Sequence, residues 1–231
     1  MNNASVESSR PSGGIRGLIL DYGEVLCHRP APATIERMAG AAGLDTATFT
    51  TRYHQERGAY DRGDVSPRDY WSRVVADPAA LSDEWVNRLR QWDVEIWSDL
   101  NGAMIDWLYE VHAAGFRTAV LSNMHPDMAL HVRRSFGWLR YLDCVILSCE
   151  VHLIKPDPAI YQRCLEGLGL RPFETCFIDD REANVQAARD GGLTALPFHT
   201  VDSLRNDLQR LGVPVLPRAG SAQPKREAAG E

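Results

Sequence analysis

At 231 residues, with 44% hydrophobic and 24% charged side chains, the chain has the make-up of an ordinary soluble globular protein, long enough for one large domain or a domain carrying an insertion. A formal net charge of −6 supplies no basic field for nucleic acid or an anionic membrane surface, so no nucleic acid and no membrane is expected as a partner. No apolar run approaches the ~18 residues of a membrane span, and the polar N-terminus lacks a signal-peptide core, which makes the cytoplasm the expected location.

Residues 1–14 are polar and Gly/Ser-rich and are expected to form a disordered leader. An apolar run then ends abruptly at Asp21, with Gly23 following two residues later. It reads as a buried strand that delivers a carboxylate from its C-terminal end. From 31 to 97 the pattern turns helical. Helices are expected at Ala33–Ala42, at Thr46–Gly58, from Ser66-Pro67, where serine caps and proline fills the first turn, and from Ser82 to Trp92. Five of the six tryptophans (71, 85, 92, 97 and 107) lie in this insertion or just after it, and their spacing predicts a small core of its own.

Alternation begins next. Helices are expected at Asn101–Ala114, Asp127–Phe136, Pro158–Leu168, Glu182–Asp190 and Val201–Leu211. Strands are expected at Arg117–Leu121, Cys144–Leu147, Thr175–Ile178 and Leu193–Leu196. Such alternation predicts an α/β core with a doubly wound, Rossmann-like parallel sheet over residues 15–30 and 98–213, interrupted by a helical cap insertion at 31–97. Residues 214–231 are expected to be a disordered tail. The five cysteines form no CxxC pair and read as reduced, buried thiols.

Four strands end in polar residues: Asp21, Ser122-Asn123, Ser148 and Asp179-Asp180. Lys155 sits in the proline-bounded loop Lys155-Pro156-Asp157-Pro158. All carboxyl ends of a parallel sheet face one way, so these groups converge on the edge where such folds bind ligands. The chemistry they fit is phosphoryl transfer to a carboxylate. Asp21 acts as nucleophile, Lys155 neutralises phosphate oxygens, and the Ser122 hydroxyl donates to one of them. Asp21, the Gly23 carbonyl, Asp180 and Asp179 make a hard oxygen set suited to Mg²⁺. The implied partner is a small phosphorylated metabolite.

These residues resemble the haloacid dehalogenase-like hydrolase superfamily, in the branch with a helical cap after the first strand. Asp21 with its turn is similar to the first motif, Leu121-Ser122-Asn123 to the second, Lys155-Pro156-Asp157-Pro158 to the third, and Phe177-Ile178-Asp179-Asp180 with Asn184 to the fourth. The resemblance spans about residues 15–212, and the cap stretch Gly63-Asp64-Val65-Ser66, then Tyr70-Trp71, resembles the sugar-phosphate phosphatase and epoxide-hydrolase phosphatase branches. It implies the roles above and adds Asn123 as a substrate or phosphate contact. One departure stands out: relatives with phosphatase activity usually carry a second Asp, the general acid/base, where this chain has Gly23, and such a loss costs ~10²–10⁴ in rate. A good leaving group, such as an anomeric or acyl phosphate, suffers least from that gap. Glu24 or His28 are candidate proton donors, and Glu24 equally fits the cap hinge.

Two other readings compete. A 2-haloacid dehalogenase also lacks the second Asp but replaces the acid pair that this chain keeps at Asp179-Asp180. A binding or regulatory module on the same fold would explain Gly23 but not the remaining motifs. His54 and His125 read as helix-surface residues, Arg133-Arg134 as a solvated face, and His152 as a group near the site. Cap specificity is expected from residues 27–30 and 60–62. The oligomeric state, monomer or homodimer, is not legible.

Overall fold

The computed structural model describes residues 14–213, so the expected leader, apart from Gly14, and the expected tail lie outside the described residues. Five strands form one parallel sheet: β1 (Gly17–Leu20), β2 (Arg117–Ser122), β3 (Cys144–Leu147), β4 (Thr175–Asp179) and β5 (Thr194–Pro197), in the order β3-β2-β1-β4-β5. The chain steps outward from β1 to β3 and then crosses to the other side of β1, so strand order reverses beside β1, where open α/β sheets bind ligands.

Period-two alternation sends the β1 side chains to opposite layers. Leu18 and Leu20 join a core with α6 (Gly102–Ala113), α7 (Pro126–Ser135) and α11 (Val201–Arg210). Ile19 joins another with α9 (Pro158–Leu168) and α10 (Glu182–Asp190). Both faces of β1 are fully covered, which is why its sequence is an unbroken apolar run rather than an alternating one. Register then fixes the site. Leu20 lies opposite Ile178, and the Asp21 N–H donates to the Ile178 carbonyl at 2.9 Å, so Asp21 emerges level with Asp179.

Helices α1 (Pro32–Ala41), α2 (Thr46–Gln55), α3 (Arg57–Asp61), α4 (Pro67–Val74) and α5 (Asp83–Ile96) form the cap around a separate apolar cluster that includes Met38, Phe49, Tyr70, Trp71 and Leu89. The tryptophans divide differently from expectation. Trp71 is wholly buried in the cap, Trp107 packs in the sheet's own core, and Trp85 remains 47% exposed. The expected single helix over 46–58 is broken at Glu56, and Arg57 beyond the break turns inward to bond with Tyr53 and Asp93. The Ser66 cap is present, its hydroxyl accepting from the Asp69 N–H at 3.1 Å.

Two connections join cap to core and pair with each other. His28 N–H donates to the Asp99 carbonyl at 2.7 Å, Asn101 N–H donates to the Leu26 carbonyl at 2.9 Å, and Cys27 bridges Leu100. A second apposition lies at Gly63, where φ is +78° and an added Cβ would stand 3.1 Å from the Cys149 carbonyl oxygen. Only glycine meets both demands without strain. Its neighbour α8 (Ser148–Val151) is a single helical turn absent from the sequence reading, too short to leave a periodic signal. Arg90 on α5 adds a two-pronged ion pair to Asp127 on α7 at 2.6 and 2.7 Å.

Candidate active site

Asp21 leaves β1 into a tight turn. Its Oδ1 accepts from the Tyr22 N–H at 2.6 Å, and the Leu26 and Cys27 N–H groups both return to the Tyr22 carbonyl. Glu24, at φ +55°, completes the turn in the left-handed region. Across the sheet edge Lys155 Nζ lies 2.8 Å from Asp21 Oδ1 and 2.6 Å from Asp179 Oδ2, and it is only 3% exposed. The Lys155 loop is held by one side chain: the Asn123 amide oxygen accepts from the Lys155 N–H at 2.8 Å, and its NH₂ donates to the Lys155 carbonyl at 2.9 Å. Lys155–Pro156 is a cis peptide, and Asp157 caps α9 by accepting from the Ala159 N–H.

Asp21, Asp179 and Asp180 bring carboxylate oxygens within 4.8 Å of one another. Burial pushes the Asp21 carboxyl up to about 7, against the lowering effect of Lys155. Burial and then Asp179 push Asp180 up to about 6. Burial opposes the Lys155 charge, but Asp179 and Asp21 outweigh it and hold the ammonium above its ordinary value. Three crowded carboxylates against one ammonium leave negative charge unbalanced, and hard oxygen donors in that number fit Mg²⁺.

The three acids are not equivalent. Asp179 is wholly buried, and both its oxygens are already engaged by Lys155 Nζ, Asn184 Nδ2 and the Arg181 N–H. It therefore orients the lysine, while Asp21 and Asp180 border the open cleft with Gly23, Glu24, Ser122, Asn123 and Lys155. Among the described residues the Ser122 hydroxyl has only a long 3.5 Å contact to the Asn123 carbonyl, which leaves it available to a ligand.

Other expected residues fall elsewhere. Ser148, read with the strand-end group, does not border the cleft. Its buried hydroxyl accepts from the Met124 N–H at 2.8 Å and donates to the Asp61 carbonyl, tying cap to core. Glu24 borders the cleft, and its carboxylate pairs with the exposed Arg29 at 2.6 Å. His152 stands outside the cleft, with Nδ1 3.1 Å from the Arg62 carbonyl. His54 does border it. His125, expected on a helix surface, is fully buried at the cleft because the chain turns back under the cap before α7, and burial lowers its pKa to about 4.

The sequence reading also missed Tyr53, Arg57 and Trp97 along the cap side of the cleft, which encloses about 340 Å³. Trp97 Nε1–H donates to the Tyr53 hydroxyl at 3.1 Å. Polar residues on cap helices look like solvated faces until the packing places them, and no local pattern in the sequence marked these three. Among the described residues no helix is long and apolar enough to cross a membrane.

A parallel α/β sheet whose carboxyl edge presents an aspartate, a buried lysine and an acid pair beneath a helical cap has the arrangement of a hydrolase site. Residues 15–192 match the haloacid dehalogenase-like hydrolases, and the chain belongs to that family. It is 30% identical over 125 residues to mouse bifunctional epoxide hydrolase 2, a match that covers 52% of this chain but only 22% of that protein. It is 31% identical over 206 residues to (S)-2-haloacid dehalogenase 4A of Burkholderia cepacia, covering 81% of this chain and 82% of the relative. Among solved structures, a wild-type HAD family enzyme from Bacteroides thetaiotaomicron, in complex with magnesium and inorganic phosphate, superposes with a TM-score of 0.63 at 23% identity, covering 83% of this chain and 99% of that one. That likeness establishes the fold.

Proposed function

We propose that this hydrolase acts on a small phosphomonoester, with Mg²⁺ bound by Asp21, Asp180 and the Gly23 carbonyl, through a covalent phosphate on Asp21. The observation that carries the reading is the intact acid cluster: three carboxylates within 4.8 Å, two of them open to the cleft, and Lys155 bridging the nucleophile to the third. Mg²⁺ bound there would neutralise the phosphate and keep the carboxylates ionised. The magnesium and phosphate in the Bacteroides enzyme's complex support that assignment.

In the forward step an Asp21 carboxylate oxygen attacks phosphorus, a P–O bond forms, and the bond to the leaving alkoxide breaks. Lys155 and the Ser122 hydroxyl balance the phosphoryl oxygens, with Asn123 fixing the lysine loop. Water then attacks the acyl phosphate, which returns Asp21 and releases phosphate. With Gly23 in place of an acid, the leaving oxygen draws its proton from water or from the substrate, so esters with good leaving groups, sugar 1-phosphates among them, suit the site best.

The test is phosphate release from a panel of phosphomonoesters with and without Mg²⁺, beside Asp21→Asn. Mg²⁺-dependent release that the variant abolishes is expected. A dehalogenase reading has its own support in the 31% identity to the Burkholderia enzyme. Halide release from a 2-haloacid that persists in EDTA, with no phosphate release, would replace the phosphatase reading.

A further inference from the structure

β3 is an edge strand, so its first residue, Cys144, is half-buried, whereas a fully buried thiol was expected. Helix α9 packs on β3, and the two meet at the C-terminal half of the helix. Cys144 Sγ lies against Gly167, where an added Cβ would collide with it, so glycine opens the helix surface to the sulfur. Cys164 stands three positions earlier on the same face of α9 and is wholly buried. Its thiol and that of Cys144 share a hydrogen bond across the strand–helix contact.

The two thiols are not equivalent. The hydrogen bond from Cys164 is the first cause holding the Cys144 thiol below its ordinary value, and Arg163 and Arg117 add to it against burial and Asp143. Cys164, as the donor and the more buried of the pair, is held well above. Burial pushes Cys27, Cys149 and Cys176 up to about 12, about 11 and about 12. Of the five thiols, Cys144 alone combines partial exposure with thiolate character. The thiolate is the reacting form of cysteine, and a second thiol in contact with it is placed to complete an exchange.

We propose that Cys144 is a reactive-thiol site resolved by Cys164, which closes a reversible disulfide between β3 and α9 by exchange with a small-molecule disulfide. The Cys144 thiolate attacks one sulfur of that disulfide. A new S–S bond forms, the old one breaks, and the departing thiolate takes up a proton. Cys164 then gives up its proton and attacks the Cys144 sulfur, expelling the second small thiol. Two protein thiols lose two electrons, and the small disulfide gains them as two thiols. The site stands apart from the cleft, whose lining includes neither cysteine, and is independent of which ester is hydrolysed.

The experiment treats the reduced, folded full chain with glutathione disulfide and maps the products by peptide mass without reductant. Wild type is expected to lose two hydrogens, to join the Cys144 and Cys164 peptides, to retain no glutathione, and to revert in dithiothreitol. Cys164→Ala is expected to stop with glutathione bound to Cys144. Cys144→Ala is expected to slow thiol loss by about tenfold or more. Closing a loop of about 20 residues should raise the melting temperature of the oxidised protein by about 6–12 °C. Glutathione retained on wild-type Cys144 with no cross-link overturns the pairing. So does Cys149 reacting as fast as Cys144, or no reaction of the folded protein at all. An oxidised protein that melts no higher than the reduced one overturns it too, because the native fold would then oppose the bond. Should a variant fail to fold, the wild-type mapping and melting still decide.

Discussion

Lys155→Met tests the electrostatic account of the site directly. The ammonium is 3% exposed and lies 2.8 Å from Asp21 and 2.6 Å from Asp179. Methionine keeps most of the apolar stem and removes the charge, leaving two buried carboxylates facing each other. Breaking a buried ion pair on one side costs about 3–5 kcal/mol. At about 2–4 °C per kcal/mol for a domain of this size, the metal-free protein should melt about 6–20 °C lower. Added Mg²⁺ should recover part of that loss, since a dication in the acid cluster replaces the missing positive charge, while phosphate release stays abolished. The assay is calorimetric melting of wild type and variant in EDTA and in Mg²⁺. Arg133→Ala serves as the control, because its pair with Glu150 is exposed on both sides at 38% and 39% and should be worth no more than about 1 kcal/mol. A metal-free Lys155→Met protein melting within about 2 °C of wild type would falsify the claim that this lysine holds the acids together.

Further expectations concern neighbouring residues. An added Cβ at Gly23 would meet only the Trp97 ring at an ordinary 3.8 Å, so Gly23→Asp should fold, and it should raise turnover of alkyl phosphates by on the order of 10² while scarcely changing acyl phosphates; equal effects on both classes would show that no acid was missing. Asp21 and Asp180 are raised from 3.8 to about 7 and about 6, so their contribution to stability is present below about pH 4 and fades as pH rises through those values. The gain in melting temperature on adding Mg²⁺ should therefore grow from pH 5 to pH 8, and a gain independent of pH would count against a site built from these acids. Ser148→Ala leaves the buried Met124 N–H and Asp61 carbonyl unpaired and should cost about 1–3 kcal/mol by chemical unfolding, with no cost expected if the hydroxyl were idle.

Much of the candidate site was written in local sequence. The run ending at Asp21, the strand ending at Asp179-Asp180 and the proline-bounded Lys155 are each short-range signals, because a strand's termination and a proline's constraint are properties of a few adjacent residues. Parallel topology then supplies the convergence, since every strand of a parallel sheet points its carboxyl end the same way. Helix α9 and strand β3 fall at the expected boundaries for the same reason.

Packing decided the rest. Asp179 ends β4 and is saturated by Lys155, Asn184 and Arg181, while Asp180 lies just beyond the strand and borders the open cleft. That Ser148 ties the cap down, that Glu24 pairs with Arg29, and that His125 is buried rather than solvated were likewise invisible in the residue pattern. The cap side of the cleft is the fullest case. Tyr53 and Arg57 lie about forty positions from their partner Asp93 in sequence, and they meet only because the helices fold around a shared apolar cluster. Composition and periodicity carry the class of fold and the candidate site groups, since those depend on neighbours along the chain. The surroundings that tune those groups depend on neighbours in space, and only the tertiary structure brings them together.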